Sequence, residues 1–307
     1  MTQSFRLGVC LLLLAAVTPA QAQYRFDEIA PGVYLHTGVH AEPDPHNHGD
    51  IANKGVVVGE KCAAVIDSGG SRMDGEALLE AVRAVTALPI CYVINTHMHP
   101  DHLFGNAAFA QLKPRPVFVA DARLPAALAQ RAATYLARLD ELLGDAAKGT
   151  VPVPPDKVVE GRMLLDLGGR TLQLQSWPTA HTNNDLTVFD PASGVLWLGD
   201  LLFRERIPSL DGSIKGWLAV SEQLRALPAT IGVPGHGRAG TDWRDGLSAQ
   251  DAYLGQVAEQ VRAAIAEGKS LSETVSSADP AAAAPWLLAP AYHVRNLTAA
   301  FAELEWE

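Results

Sequence analysis

Residues 93–102 read VINTHMHPDH. A strand-forming apolar run leads into the stretch, and His97, His99, Asp101 and His102 then fall within six positions. Side chains able to bind metal, set so close together, crowd one another and repel protons unless a cation holds them. At a strand end successive side chains alternate faces, so His97 and His99 point the same way and can grip one ion. Pro100 helps the chain turn into a helix, which carries Asp101 and His102 to a neighbouring position. Imidazole nitrogen and carboxylate oxygen suit zinc at about 2.0 to 2.2 Å, and a catalytic site keeps a place for water beside three or four protein ligands.

The surroundings support a strand end. RFDEIA, GVYLHTG, IANKGVVVGE and CAAVIDSG are short, rich in β-branched residues and punctuated by glycine. A helical pattern runs from Ser71 to Ala87, with Leu78, Leu79, Val82 and Val85 at helix spacing, and the strand CYVINT follows. Strand, helix, strand builds a parallel crossover whose second strand ends at a functional edge. Residues 121–147 then read as helix, and three prolines between Val151 and Pro155 break the chain. GRMLLDLG, TLQLQSWP, LTVFDP and GVLWLGD read as strands, Lys215 to Leu227 as a helix, ATIGVPGHG as a strand, and Asp242 to Glu267 and Tyr292 to Glu305 as closing helices. Two such sets predict an α/β chain with two sheets packed face to face and helices outside, a four-layer αββα sandwich.

Further ligands are expected at other strand ends. His181 follows TLQLQSWPTA, Asp200 ends GVLWLGD, and His236 sits in the glycine-framed VPGHG. THMHPDH, with IDSGG, PTAHT, LGDLLF and VPGHG in the same order, resembles the metallo-β-lactamase fold superfamily and its H-x-H-x-D-H signature. The resemblance implies one ion held by His97, His99 and His181, a second held by Asp101, His102 and His236, and Asp200 between them, hence two zinc or similar divalent ions per chain. It also implies a hydroxide shared by the two ions as the nucleophile, with Asp101 orienting it or taking its proton. Asp67, in IDSGG, is better placed to anchor a ligand than to be one. Zinc-dependent β-lactamases typically offer Cys or Ser near Asp200, whereas glyoxalase II-like hydrolases and lactonases use Asp. Esters, thioesters and lactones are therefore the expected acyl substrates, with β-lactams as the alternative.

Within the superfamily, HNHGDIANKGVVVGEKCAAVIDSGGS, THMHPDHLFGNAAFA and GDLLFRERIPSLDGSIKGWL resemble the exported quinoprotein relay-system zinc metallohydrolases. That likeness implies a periplasmic setting, with a quinoprotein or c-type cytochrome as a partner and a link to sulfur oxidation. A mainly non-catalytic metal-binding accessory of a quinoprotein dehydrogenase is the other reading. The loop from Phe203 to Trp217 leaves Asp200 directly, and Arg204, Arg206, Ser209 and Lys215 in it are candidates to bind a substrate carboxylate. A solvated loop is the alternative.

The rest of the sequence sets bounds. Met1 to Ala22 has the anatomy of a signal peptide: Arg6, an apolar run from Leu7 to Val17, Pro19, and Ala20-Gln21-Ala22 as a cleavage site. The run is short of the roughly 20 residues needed to span a bilayer, and residues 23–307 are expected to form one hydrolase domain. The formal net charge of −10 disfavours a nucleic-acid partner, whose phosphates need a basic face. Cys62 and Cys91 precede Asp67 and Thr96 by the same spacing, which puts them near one another at the starts of adjacent parallel strands. Two buried thiols are the simpler expectation and a disulfide the alternative. His36, His40, His46, His48 and His293 read as surface or hydrogen-bonded residues.

Overall fold

The computed structural model describes residues 24–307, so the signal peptide expected over residues 1–22 lies outside the described residues. β1 (Asp27–Ala30), β2 (Val33–His36), β3 (Lys54–Val58) and β4 (Ala63–Ile66) pair as antiparallel neighbours. α1 (Arg72–Val85), capped by the Ser71 hydroxyl, crosses over to β5 (Ile90–Ile94), which lies parallel to β4. After the short helices α2 (Pro100–Leu103) and α3 (Asn106–Phe109), β6 (Val117–Asp121), α4 (Leu124–Leu143) and β7 (Lys157–Val159) extend the parallel edge. The second sheet holds β8 (Arg162–Asp166), β9 (Thr171–Ser176), β10 (Leu186–Asp190), β11 (Val195–Phe203) and β12 (Ile231–His236). α5 (Ile214–Arg225) joins its last two strands, which run parallel, and α6 (Trp243–Ala266), α7 (Leu271–Ser276) and α8 (Ala289–Leu304) follow.

Period-two alternation assembles the layers. Ala64 and Ile66 of β4, Ile94 of β5 and Val119 of β6 face a shared core with Leu174, Val188, Trp197 and Val233 of the other sheet. Their strand neighbours Val65, Val93 and Phe118 face the opposite way and pack with Leu78 and Val82 of α1. In β11, Leu196 and Leu198 turn outward to Trp217, Trp243 and Leu254 on α5 and α6. The order is helix, sheet, sheet, helix, as the alternating patterns predict. Gly55 is part of this arrangement, because a Cβ there would fall 1.8 Å from the Trp197 ring that fills the space between the sheets.

Two strands depart from the sequence reading. Asp121 ends β6 instead of opening a helix, and the helix starts only at Leu124. β6 is a parallel strand buried along most of its length, so it shows no polar alternation to announce it. β7 has three residues and follows the proline break too closely to register as an element.

Cys62 and Cys91 are joined by a disulfide, with Cα atoms 5.7 Å apart, so the expected pair of buried thiols gives way to a bond. The register explains it. Ala63 pairs with Ile90 and Ala64 with Tyr92, so Cys91 is an extra residue at a bulge instead of an in-register neighbour. Thiol labelling of the denatured, unreduced protein is expected to leave Cys62 and Cys91 unmodified. Replacing both by serine should lower unfolding free energy in urea by about 3 kcal/mol, the range for a loop of this size.

Candidate metal centre

The candidate ligands gather where strand ends of both sheets meet. β5 stops at Ile94, so His97 and His99 lie in the loop beyond it, and the loop's path, not a strand pleat, brings them together. Pro100 occupies the first turn of α2 with His99 as the extended residue before it, and Asp101 and His102 follow on that turn. His181 sits between β9 and β10, Asp200 within β11, and His236 at the last position of β12. β11 runs beyond Asp200 to Phe203, three residues further than the sequence reading, and its pairing with β12 shifts on either side of Gly199. Gly235 is needed there because a Cβ would stand 1.8 Å from Asp200 Oδ1.

Two groups result, one of His97, His99, His181 and Asp200, the other of Asp101, His102 and His236; within each, the ligand atoms lie within 4.8 Å of one another. Asp200 reaches toward both. Its Oδ2 is 3.3 Å from His181 Nε2 and 3.7 Å from His97 Nε2, while Oδ1 is 3.1 Å from His102 Nε2 and 3.4 Å from His236 Nε2. Asp101 Oδ2 lies 3.3 Å from His236 Nε2.

Each ring is fixed through its other nitrogen. His181 Nδ1 donates to the Ser209 carbonyl at 2.6 Å and His236 Nδ1 to the Ile51 carbonyl at 2.7 Å, which turns both Nε2 atoms inward, His181 Nε2 lying 3.0 Å from His99 Nδ1. His102 Nδ1 meets Asp67 Oδ2 at 2.8 Å, His97 Nδ1 meets Thr96 Oγ1 at 3.1 Å, and His99 Nε2 meets Asp211 at 2.9 Å. Asp67 also accepts the Thr96 amide and hydroxyl, each at 2.8 Å, and it holds a left-handed backbone with φ of 56°. Strain of this kind persists only where the surroundings enforce it.

The residues fit divalent ions. His97 Nε2, His102 Nε2 and Asp200 Oδ1 are buried, converge, and have no hydrogen-bond partner, a costly state that a cation would resolve. Burial holds His97 well below the usual histidine range and lowers His181 to about 3, so both present neutral rings. Burial also opposes charge on His102, but the carboxylates of Asp200, Asp67 and Asp101 outweigh it and hold that imidazole well above its ordinary range. Asp200 feels burial first, yet His236 and His102 keep it well below the carboxylate range.

Residues 49–236, more than half the chain, match the metallo-beta-lactamase superfamily. The chain belongs to that superfamily. Its members are metal-dependent hydrolases. The fold resembles a metallo-beta-lactamase from Pontibacter korlensis at a TM-score of 0.60 and 22% identity over 75% of this chain and 98% of that one. A metallo-beta-lactamase from Hirschia baltica is similar at a TM-score of 0.58 and 18% identity over 75% of this chain and 96% of the other. No curated protein matches the sequence.

In this superfamily member the two groups open on a cavity of about 260 Å³. Arg206 and Ser209 line it, but two other expected substrate contacts are engaged elsewhere. Arg204 is tied to both Asp242 oxygens, at 2.8 and 2.7 Å, and Lys215 on α5 pairs with Glu307 at 3.3 Å and is half exposed. Glu205, at φ of 66°, turns the chain between Arg204 and Arg206, which accounts for their separate fates. Asp211 serves a ligand: burial opposes its ionisation, but His99 and Arg131, the latter at 2.5 Å, bring it to about 2. Tyr135, Tyr292 and Arg295 also line the cavity, and the sequence carried no signal for them beyond helical periodicity. His36 pairs with Asp50, His40 with Glu205, and His293 with Tyr253 between α6 and α8.

Metal loading should expose the protonation pattern. At pH 7 His102 carries a proton in the metal-free protein, because its folded pKa is raised, whereas His97 and His181, whose pKa values are depressed, carry none. Calorimetric zinc titration in buffers of different ionisation enthalpy is expected to show proton release, since the His102 proton must leave for that ring to bind. A binding heat independent of the buffer, with no proton released, would contradict the assignment.

Proposed function

We propose that the chain is an exported hydrolase that uses two zinc or similar divalent ions on esters, thioesters, lactones or related acyl compounds. The observation that carries this reading is Asp200, whose two oxygens face the two histidine groups separately. A carboxylate placed there can serve both ions at once. When bound, the ions supply Lewis acidity toward a carbonyl and lower the pKa of water to near neutrality.

The chain's own residues do the rest. Asp101 lines the cavity beside His236, and in this reading it orients the attacking water and takes its proton. His181 and His236 each turn Nδ1 to a backbone carbonyl, so their Nε2 atoms face inward. Leu139 and Leu142 of α4 border the cavity and limit access of bulk water.

Export is supported by the leader-like residues 1–22 and by the Cys62–Cys91 disulfide, which suits an oxidising compartment such as the periplasm. No helix among the described residues is long and apolar enough to cross a membrane. The resemblance of GDLLFRERIPSLDGSIKGWL and THMHPDHLFGNAAFA to quinoprotein relay-system hydrolases supports a periplasmic quinoprotein or cytochrome partner. The small-molecule cavity and the complete ligand set favour catalysis over an accessory role.

Elemental analysis of reconstituted protein should return two ions per chain, and Asp200→Ala should lose both, while His181→Ala should mainly affect one. With activated esters, thioesters and lactones, Asp101→Asn should lower kcat/KM by at least about a hundredfold, the contribution of a positioned acid or base. Hydrolysis of β-lactams far faster than of every such compound would overturn the substrate order.

A further inference from the structure

The loop after β11 runs against the His181 turn, and the two backbones are joined. His181 Nδ1 donates to the Ser209 carbonyl at 2.6 Å. The Asp211 amide donates to the His181 carbonyl at 3.2 Å, and the Ser213 amide to the Ala180 carbonyl at 2.9 Å. Gly212 permits the approach, since a Cβ there would stand 2.4 Å from the Ala180 carbonyl oxygen. Whatever fixes residues 208–213 therefore fixes the His181 ring as well.

Asn296, buried on α8, grips that loop on both sides of Ser209. Its Oδ1 accepts the Leu210 amide at 2.9 Å, and its Nδ2 donates to the Pro208 carbonyl at 2.7 Å. The other Nδ2 hydrogen goes to the Tyr253 hydroxyl of α6 at 2.8 Å, and that hydroxyl meets His293 Nδ1 at 3.1 Å. A carbonyl only accepts and an amide N–H only donates, so these partners fix which way the Asn296 amide faces. Without it, the Pro208 carbonyl and the Leu210 amide would lose their partners in a buried place. Two turns further along α8, Glu303 accepts the Ser213 hydroxyl and the Ile214 amide, each at 2.7 Å. Residues seven apart share a helix face, so one side of α8 holds the loop at two points.

We infer that Asn296 is a positioning residue for the metal centre: by clamping the backbone on both sides of Ser209, it places the carbonyl that aims His181 at the group with His97, His99 and Asp200. The inference rests on the hydrolase reading and adds a support for one of its two metal groups. α8 lies beyond residues 49–236, which match the superfamily, so His181 takes its aim from a part of the chain outside that match. The other group is held differently. His236 Nδ1 goes to the Ile51 carbonyl and His102 Nδ1 to Asp67, neither of which lies on α8 or on the loop that it clamps. Loss of the clamp therefore acts on one ion and spares the other.

The test is competition between the protein and a chelating dye for each of its zinc ions. Asn296→Leu, similar in volume but without hydrogen-bonding atoms, should lower the affinity for one ion by about tenfold, the low end for an outer support of a metal ligand. The weakened ion should be the one lost in His181→Ala. Equal weakening of both ions, or of neither, overturns the inference. If Asn296→Leu does not fold, Tyr253→Phe takes its place. Loss of the hydroxyl that holds Asn296 Nδ2 should weaken the same ion by less, and affinities that are unchanged or fall equally overturn the inference. If the wild type binds no zinc, the hydrolase reading falls and NMR of the metal-free protein judges the clamp separately. Faster solvent exchange of the His181 ring N–H in the variant, with the His236 ring N–H unchanged as the reference, keeps the clamp. Equal His181 exchange in wild type and variant removes it.

Discussion

The structure depends on holding metal-competent nitrogen and oxygen atoms against one another in a buried space. His97 Nε2, His102 Nε2 and Asp200 Oδ1 converge there without a hydrogen-bond partner. Left to relax, such rings would rotate to find partners. They do not, because each is fastened from behind by Asp67, Ser209, Ile51, Thr96 or Asp211. The cost of that arrangement is offset by the cores on either side, and it preorganises the site for a cation.

Each sheet supplies part of the centre. Elements after β5 bring His97, His99, Asp101 and His102, while the second sheet and its loops bring His181, Asp200 and His236. The inter-sheet core with Trp197 against Gly55 therefore sets the distance across the site as well as stabilising the fold. The disulfide lies at the start of β4 and β5, and the IDSGG and THMHPDH loops leave their far ends.

Much of this was legible in the sequence, for physical reasons. Alternating strands and an amphipathic α1 announce the layers, and histidines at tight spacing announce a metal. His97 and His99 meet for a reason other than the expected pleat, since the loop after Ile94 turns them. Arg204 and Lys215 could not be told from Arg206, because all are basic residues of one stretch and only the fold places Asp242 and Glu307 beside two of them. The parallel strand β6 was hidden by its burial, and the bulge at Cys91 by its dependence on pairing. Tyr292 and Arg295 reach the cavity from a helix far along the chain, a long-range contact that no local pattern reports.

The segment that carries Arg206 is also laced to the distal part of the chain. The Glu205 carbonyl accepts the Leu287 amide at 2.8 Å, and Ile207 N–H returns a bond to the Leu287 carbonyl at 3.0 Å. During synthesis the chain emerges N-terminus first, so every metal-group residue is available before this lacing can form. The ligand shell and its vestibule thus mature in sequence, the α8 wall last, and an intermediate whose final helices are undocked would present the metal groups without that wall.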